Sequence, residues 1–204
     1  MTSVRRSGTK GVARADREQQ ILDVAGPIFG EHGFAATSMA DVAQQAGISK
    51  PLIYNYFGSK EGLHERCLRL ALDLVLGEIE RSADLGAVGL QRALVTLDGM
   101  FRVLDGRAWV WAIANDATAP EGTAALRDTY QQRLDGLARE GVGELLTLAG
   151  DDDALDLDAM TAVWSDVFAS LVTWWCAHPG VTPDAMSARC ERLFGAVFGF
   201  SPDA

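Results

Sequence analysis

Between Gly47 and Leu63 the sequence Gly-Ile-Ser-Lys-Pro-Leu-Ile-Tyr-Asn-Tyr-Phe-Gly-Ser-Lys-Glu-Gly-Leu sets two lysines, two tyrosines and an asparagine in one short segment. These side chains share one chemistry: they donate hydrogen bonds, and the lysines add positive charge. An Asn amide can pair bidentately with an adenine edge, a Tyr hydroxyl or a Lys ammonium can hold a phosphate, and Leu or Pro can touch a thymine methyl. Lys50, Pro51, Leu52, Tyr54, Asn55, Tyr56 and Lys60 are therefore candidate contacts to a DNA groove. Thr37 and Ser38 open the preceding helix and would meet a phosphate there.

A short helix must carry these groups. Ser49 is placed to cap it, Pro51 falls in its first turn where a missing N–H costs nothing, and Leu52, Ile53, Tyr56 and Phe57 form its inward side. Gly58 and Ser59 end it, and Ser59 caps a longer helix through Leu63, Cys67, Leu70 and Leu74 toward Ile79. Upstream, Ser38 caps a two-turn helix through Met39, Val42, Ala43 and Ala46, with Asp41 as the weaker closing residue of a capping box. Gly47 supplies the turn. Before it, Ile21, Leu22, Ala25, Ile28 and Phe29 follow helical spacing up to Gly30 and Gly33, with Pro27 expected to kink the helix. A helix of ~8 residues, a glycine turn of ~3 and a second short helix make a helix-turn-helix unit. The competing reading is a plain helical corner, with Tyr54 and Tyr56 half-buried and both lysines merely solvated.

Charge separates the front of the chain from the rear. Residues 1–70 hold nine Lys/Arg against seven Asp/Glu, and residues 71–204 hold nine against twenty-one, within a net charge of −10. Only the front could face a polyanion. The 204 residues suffice for one large or two small domains, and 48% hydrophobic with 23% charged residues is ordinary for a globular chain. No apolar run approaches the ~18–20 residues of a membrane span. Three cysteines (Cys67, Cys176, Cys190) without a repeated spacing argue against a disulfide framework and for a reducing cytoplasm.

Beyond residue 80 every strong pattern is helical, so the fold class expected is all-α. Leu90, Leu94, Leu97, Phe101 and Leu104 make one stripe, and Trp109, Trp111 and Ile113 lie in a short segment closed by Pro120. Leu126 to Leu148 reads as a longer helix weakened by Gly136, Gly141 and Gly143, followed by an acidic loop over 150–156. Residues 158–177 and 183–199 read as two strongly apolar helices. Together they carry more apolar residues than one packed side needs. Val163, Val167, Leu171, Trp175, Met186, Leu193, Phe194 and Val197 are therefore candidates for a dimer surface, with plain core as the alternative. Met100, Phe101, Trp109, Trp111, Tyr130, Trp164, Phe168 and Trp174 are candidates to line a ligand pocket, although aromatic stripes also build cores.

Residues ~14–70 resemble the DNA-binding region of TetR-family transcriptional regulators. The likeness rests on Phe29-Gly30-Glu31-His32-Gly33-Phe34, on Thr37-Ser38-Met39-Ala40-Asp41-Val42-Ala43 and on the Gly47–Leu63 run, above all Tyr54-Asn55-Tyr56-Phe57-Gly58-Ser59-Lys60-Glu61. It implies a helix-turn-helix DNA-binding domain over 14–74 and a helical effector-binding and dimerisation domain over 75–204, while residues 1–13, polar and basic without periodicity, read as a flexible arm. It also implies a cytoplasmic homodimer on a palindromic operator, usually a repressor, released by a small molecule. The dimer has its own logic: one short recognition helix reads too few bases alone. The apolar candidates point to an apolar or aromatic effector.

Catalytic and metal readings are weak. His64 and Cys67 share a helix face and Cys176 and His178 stand two apart, but neither pair completes a metal set. Gly141-Val142-Gly143 lacks the preceding strand of a phosphate loop, and Asp151-Asp152-Asp153 reads as a solvated loop. No enzyme activity, cofactor or metal is expected. The alternatives are a helical protein-interaction module, which predicts no salt-dependent DNA binding, and an activator without a small-molecule effector.

Overall fold

The first helix, α1 (Arg14–Ala36), forms on the stripe Ile21, Leu22, Ala25, Ile28 and Phe29, all of which are buried. Around Pro27 the backbone dihedrals stay helical, and they leave helical geometry only at Gly33, at φ 74° and ψ 166°. Pro27 and Asp23 both lie on the exposed face, so water can satisfy the Asp23 carbonyl that proline leaves without a donor. The computed structural model describes residues 13–198, the last by its backbone alone, so residues 1–12 of the expected basic arm lie outside the described residues.

Two short helices follow, α2 (Met39–Gln45) and α3 (Lys50–Phe57). The Ser38 hydroxyl oxygen accepts from the Ala40 N–H at 3.1 Å and caps α2. Ser49 precedes α3 but makes no side-chain cap, contrary to the sequence expectation, and Pro51 alone sets that first turn. Gly47 takes φ 66°, the left-handed conformation that lets the chain reverse between α2 and α3. The Ile48 N–H donates to Ala43 at 3.0 Å and Gln20 of α1 holds the Ala46 carbonyl at 3.2 Å, so the turn is tied at both sides.

Helix α4 (Lys60–Ala83) starts under a Ser59 cap and runs unbroken across residue 74, where the sequence reading put a domain boundary. Its first half buries Leu63, Cys67 and Leu68, and its second half buries Leu72 and Val75. Behind it come α5 (Gly89–Leu104), α6 (Ala108–Ala114), a 3-10 turn at Glu121–Thr123, α7 (Ala124–Ala149), α8 (Ala154–Cys176) and α9 (Pro183–Phe198). No strand occurs among the described residues. The glycines of α7 do not interrupt it. The acidic loop is shorter than expected, because Asp153 caps α8 by accepting from the Leu155 N–H at 2.7 Å and the helix starts at Ala154.

One core runs from Phe29 and Ile53 in front through Cys67, Ala71 and Val75 to Leu97, Phe101, Val172 and Met186 behind. The second tie between front and rear is α6 on α1. There Trp109 lies so close to Gly26 and Gly30 that a Cβ at either would come within 2.6 Å of it. Small residues at these two positions let the helices approach.

Candidate nucleic-acid interface and ligand cavity

Helix α3 buries Ile53 completely, half-buries Leu52, Tyr56 and Phe57, and leaves Lys50, Pro51, Tyr54 and Asn55 exposed. The candidates therefore divide by one helical face. Lys50 lies 5.9 Å from the centre of the Tyr54 ring, so cation and ring present one surface. Lys60, at the start of α4, donates to the Ala35 carbonyl at 3.4 Å and sits 4.5 Å over the Phe34 ring, which fixes its ammonium beside the α1–α2 corner. Gly62 is required behind it, since a Cβ there would overlap the Phe57 carbonyl where α3 meets α4.

Thr37 stands apart from the other candidates. Its side chain is buried, its hydroxyl donates to the Gly33 carbonyl at 2.8 Å and its N–H to the same carbonyl at 3.2 Å. Thr37 closes the end of α1 and has no donor left for a phosphate, whereas Ser38 keeps its hydroxyl proton free. Arg14 is a contact that sequence spacing did not single out. It is exposed and its guanidinium lies 4.9 Å from the Tyr56 ring, bringing a cation from the start of α1 to the side of α3. Its basic character was visible in the sequence; its neighbour was not.

The joint behind the helix-turn-helix is polar and exact in its pairing. Asp116, in the loop after α6, accepts from the Phe34 N–H at 2.7 Å and from the Thr118 N–H and hydroxyl at 2.8 and 2.7 Å. Thr118 in turn accepts from the Ala35 N–H at 3.2 Å. His64 sits beneath, edge-on to Phe29 and Phe34 at 5.0 and 5.1 Å, with neither ring nitrogen partnered among the described residues. Burial pushes its pKa down to about 4, against a smaller opposing pull from Asp116, so the imidazole is neutral near pH 7. Burial likewise pushes the Cys67 thiol up to about 12, which removes it as a nucleophile. Among the described residues no group of three or more His, Cys, Asp or Glu could hold a metal ion.

In the rear, α4, α5, α7 and α8 enclose a cavity of about 660 Å³, with α6 and α9 contributing Trp111 and Phe194. Its walls are mostly aliphatic: Val75 and Ile79 of α4, Leu90 of α5, Leu134, Val142 and Leu145 of α7, Val167 of α8. Of the pocket candidates, Trp111, Trp164 and Phe168 line it. Met100 and Phe101 are fully buried in the core instead, Phe101 against Trp175 at 5.2 Å between ring centres. Trp109 is spent on the α1–α6 contact. Tyr130 turns to the other side of α7 and hydrogen-bonds Asp73 of α4. Trp174 faces outward, 41% exposed and stacked on His178 at 3.9 Å.

The dimer candidates also separate. Trp175, Met186 and Phe194 are buried within the chain, Val167 lines the cavity, and Leu171 is partly buried against the core. Val163, Leu193 and Val197 remain 53%, 48% and 72% exposed, as Trp174 does at 41%. Val163 also reaches the cavity wall. Among the described residues no helix is long and apolar enough to cross a membrane.

A capped two-helix corner with an exposed donor face, carried on an all-α body, is the architecture of a helix-turn-helix DNA-binding unit. Residues 21–67 match the family described as bacterial regulatory proteins, tetR family. Over 182 residues the chain is 28% identical to the HTH-type transcriptional repressor KstR2 of Rhodococcus jostii, covering 86% of this chain and 88% of that one. The solved ketosteroid transcriptional regulator KstR2 of Mycobacterium tuberculosis superposes with a TM-score of 0.72 at 21% identity, over 95% of this chain and 97% of that one. AibR, solved with isovaleryl coenzyme A and operator DNA, gives 0.72 at 18% identity, over 89% and 98%. Residues 21–67 are thus a tetR-family DNA-binding region, and the chain as a whole shares its fold with the solved regulators named above.

Proposed function

We propose that the protein is a homodimeric repressor that binds a palindromic operator and releases it when a small molecule with an apolar body enters the rear cavity. Tyr54 and Asn55 read base edges, Pro51 and Leu52 touch the groove floor, and Ser38, Lys50, Tyr56 and Lys60 hold phosphates. Two subunits meet through the outer faces of α8 and α9, where Val163, Trp174, Leu193 and Val197 leave apolar surface uncovered. The protein works by binding, not by catalysis.

One observation carries the reading. The same continuous helix, α4, holds the helix-turn-helix with Leu63 and Cys67 and walls the cavity with Val75 and Ile79. A ligand that favours one placement of α4 must shift the front unit with it. The apolar wall fits an acyl chain or a fused-ring skeleton, a class supported by one structural neighbour being a ketosteroid regulator and another binding isovaleryl coenzyme A.

The test is selection of genomic fragments on the purified protein, followed by footprinting. The expected footprint is a two-fold site whose halves lie about one helical turn, or a multiple of it, apart. No enriched fragment, or an asymmetric single half-site, would contradict the reading.

A further inference from the structure

We infer that the cavity takes an effector carrying a carboxylate, and that Arg92 receives it by exchanging Glu144 for the ligand; this rests on the cavity being the effector site. Arg92 lies in the first turn of α5, lines the cavity and is 9% exposed. It donates from Nη1 to Glu144 of α7 at 2.9 Å. Its Nε and Nη2 meet no acceptor among the described residues. A guanidinium presents its donors as a planar fork suited to a carboxylate, and here only one arm is engaged.

The two partners of this pair are unequally placed. The Arg92 side chain is 11% exposed and Glu144 37% exposed. Glu144 can turn into water, whereas Arg92 has no such retreat. A buried guanidinium without a counter-ion is costly, so Glu144 can leave only when another anion arrives. A carboxylate at the head of an apolar chain satisfies this condition; an ester, alcohol or hydrocarbon does not. The other charged group lining the cavity, Asp135, lies on an exposed turn of α7 and would repel an anion only at the entrance.

The site is also shaped for the fork. Gly141 of α7 faces Arg92, and a Cβ there would stand 3.3 Å from Nε and 3.6 Å from Cδ and Cζ. Glycine in mid-helix costs stability relative to alanine, and at this position it leaves the guanidinium the room it occupies. Gly141→Ala therefore presses the fork aside by a few tenths of an ångström, in a helix that folds at least as well.

The experiment displaces N-phenyl-1-naphthylamine, a neutral fluorescent probe, from the full chain with decanoate, methyl decanoate and decan-1-ol. Decanoate should displace it at a concentration about tenfold lower than the ester or alcohol. Arg92→Gln and Gly141→Ala should each erase or reduce that preference while the probe still binds. Glu144→Gln should strengthen decanoate several-fold and leave the ester unchanged, because the acid no longer competes with an internal anion. A merely structural bracket between α5 and α7 would give no such gain. Equal potency of acid and ester in the wild type overturns the inference, as does a preference that survives Arg92→Gln. In those cases the cavity reading still stands, since the probe binds; a probe that never binds removes the cavity reading and the inference together.

Discussion

Helices α2 and α3 are short, bury few side chains and expose the groups that matter. Helices α7 and α8 are long and wall a cavity. In front, Tyr54 and Asn55 stand outside while a single residue of α3, Ile53, anchors the helix completely. Behind, the useful feature is missing volume: Ala93, Ala138, Gly141 and Ala169 line the cavity because they do not fill it. The front acts through what its side chains present, and the rear through what they leave empty. Helix α4 belongs to both.

If front and rear share one folding unit, a fault at their joint should cost the whole protein. His64 offers the largest such effect. Its pKa falls from 6.5 in the unfolded chain to about 4 in the fold, so the unfolded chain binds the extra proton between those values. Its contribution is complete above pH 6.5 and is lost as pH falls toward 4, by about 3 kcal/mol in all. Denaturant melts at pH 7, 5.5 and 4.5 should show that decline, and His64→Phe should flatten much of it. A decline of unchanged size in the variant would assign it elsewhere.

Gly30→Ala tests the other tie. A Cβ would come within 2.7 Å of the Trp109 Cα and 2.9 Å of its carbonyl oxygen, which a backbone cannot yield cheaply. The expected loss is about 2 kcal/mol in a urea melt, without a separate early transition for the front unit. Two resolved transitions would mean that front and rear fold apart.

The remaining predictions act on the front alone. Asn55→Ala should leave the melt unchanged and weaken operator binding by about 1–3 kcal/mol while blurring the sequence preference. Lys60→Ala should weaken all duplexes alike and lower the slope of log affinity against log salt by about one. A sequence-specific loss at Lys60 would move it from the phosphates to the bases.

The front was legible in the sequence because its rules are local. Caps, a turn glycine and one period of apolar residues fix which side of α3 faces out, and these depend on neighbours within a few positions. Thr37 and Ser49 were exceptions: the Thr37 hydroxyl turns back to Gly33 at the break in α1 and Ser49 caps nothing, geometries that spacing does not reveal. The rear was legible as helices and not as a site. Large aromatics drew attention, yet Trp109 fills a groove between glycines and Met100 and Phe101 fill core. The cavity depends on small residues from four helices that meet only after folding. Arg92 was hidden for the same reason, because its partner stands 52 positions away.

The central claim is that α3 reads DNA through its outward face. The most direct test is fluorescence anisotropy of the selected operator and a scrambled duplex of equal length, titrated with wild type and Asn55→Ala at one salt concentration. The expected result is that the variant loses affinity for the operator about tenfold or more and keeps the wild-type affinity for the scrambled duplex. Unchanged operator affinity, or an equal loss on both duplexes, would contradict it.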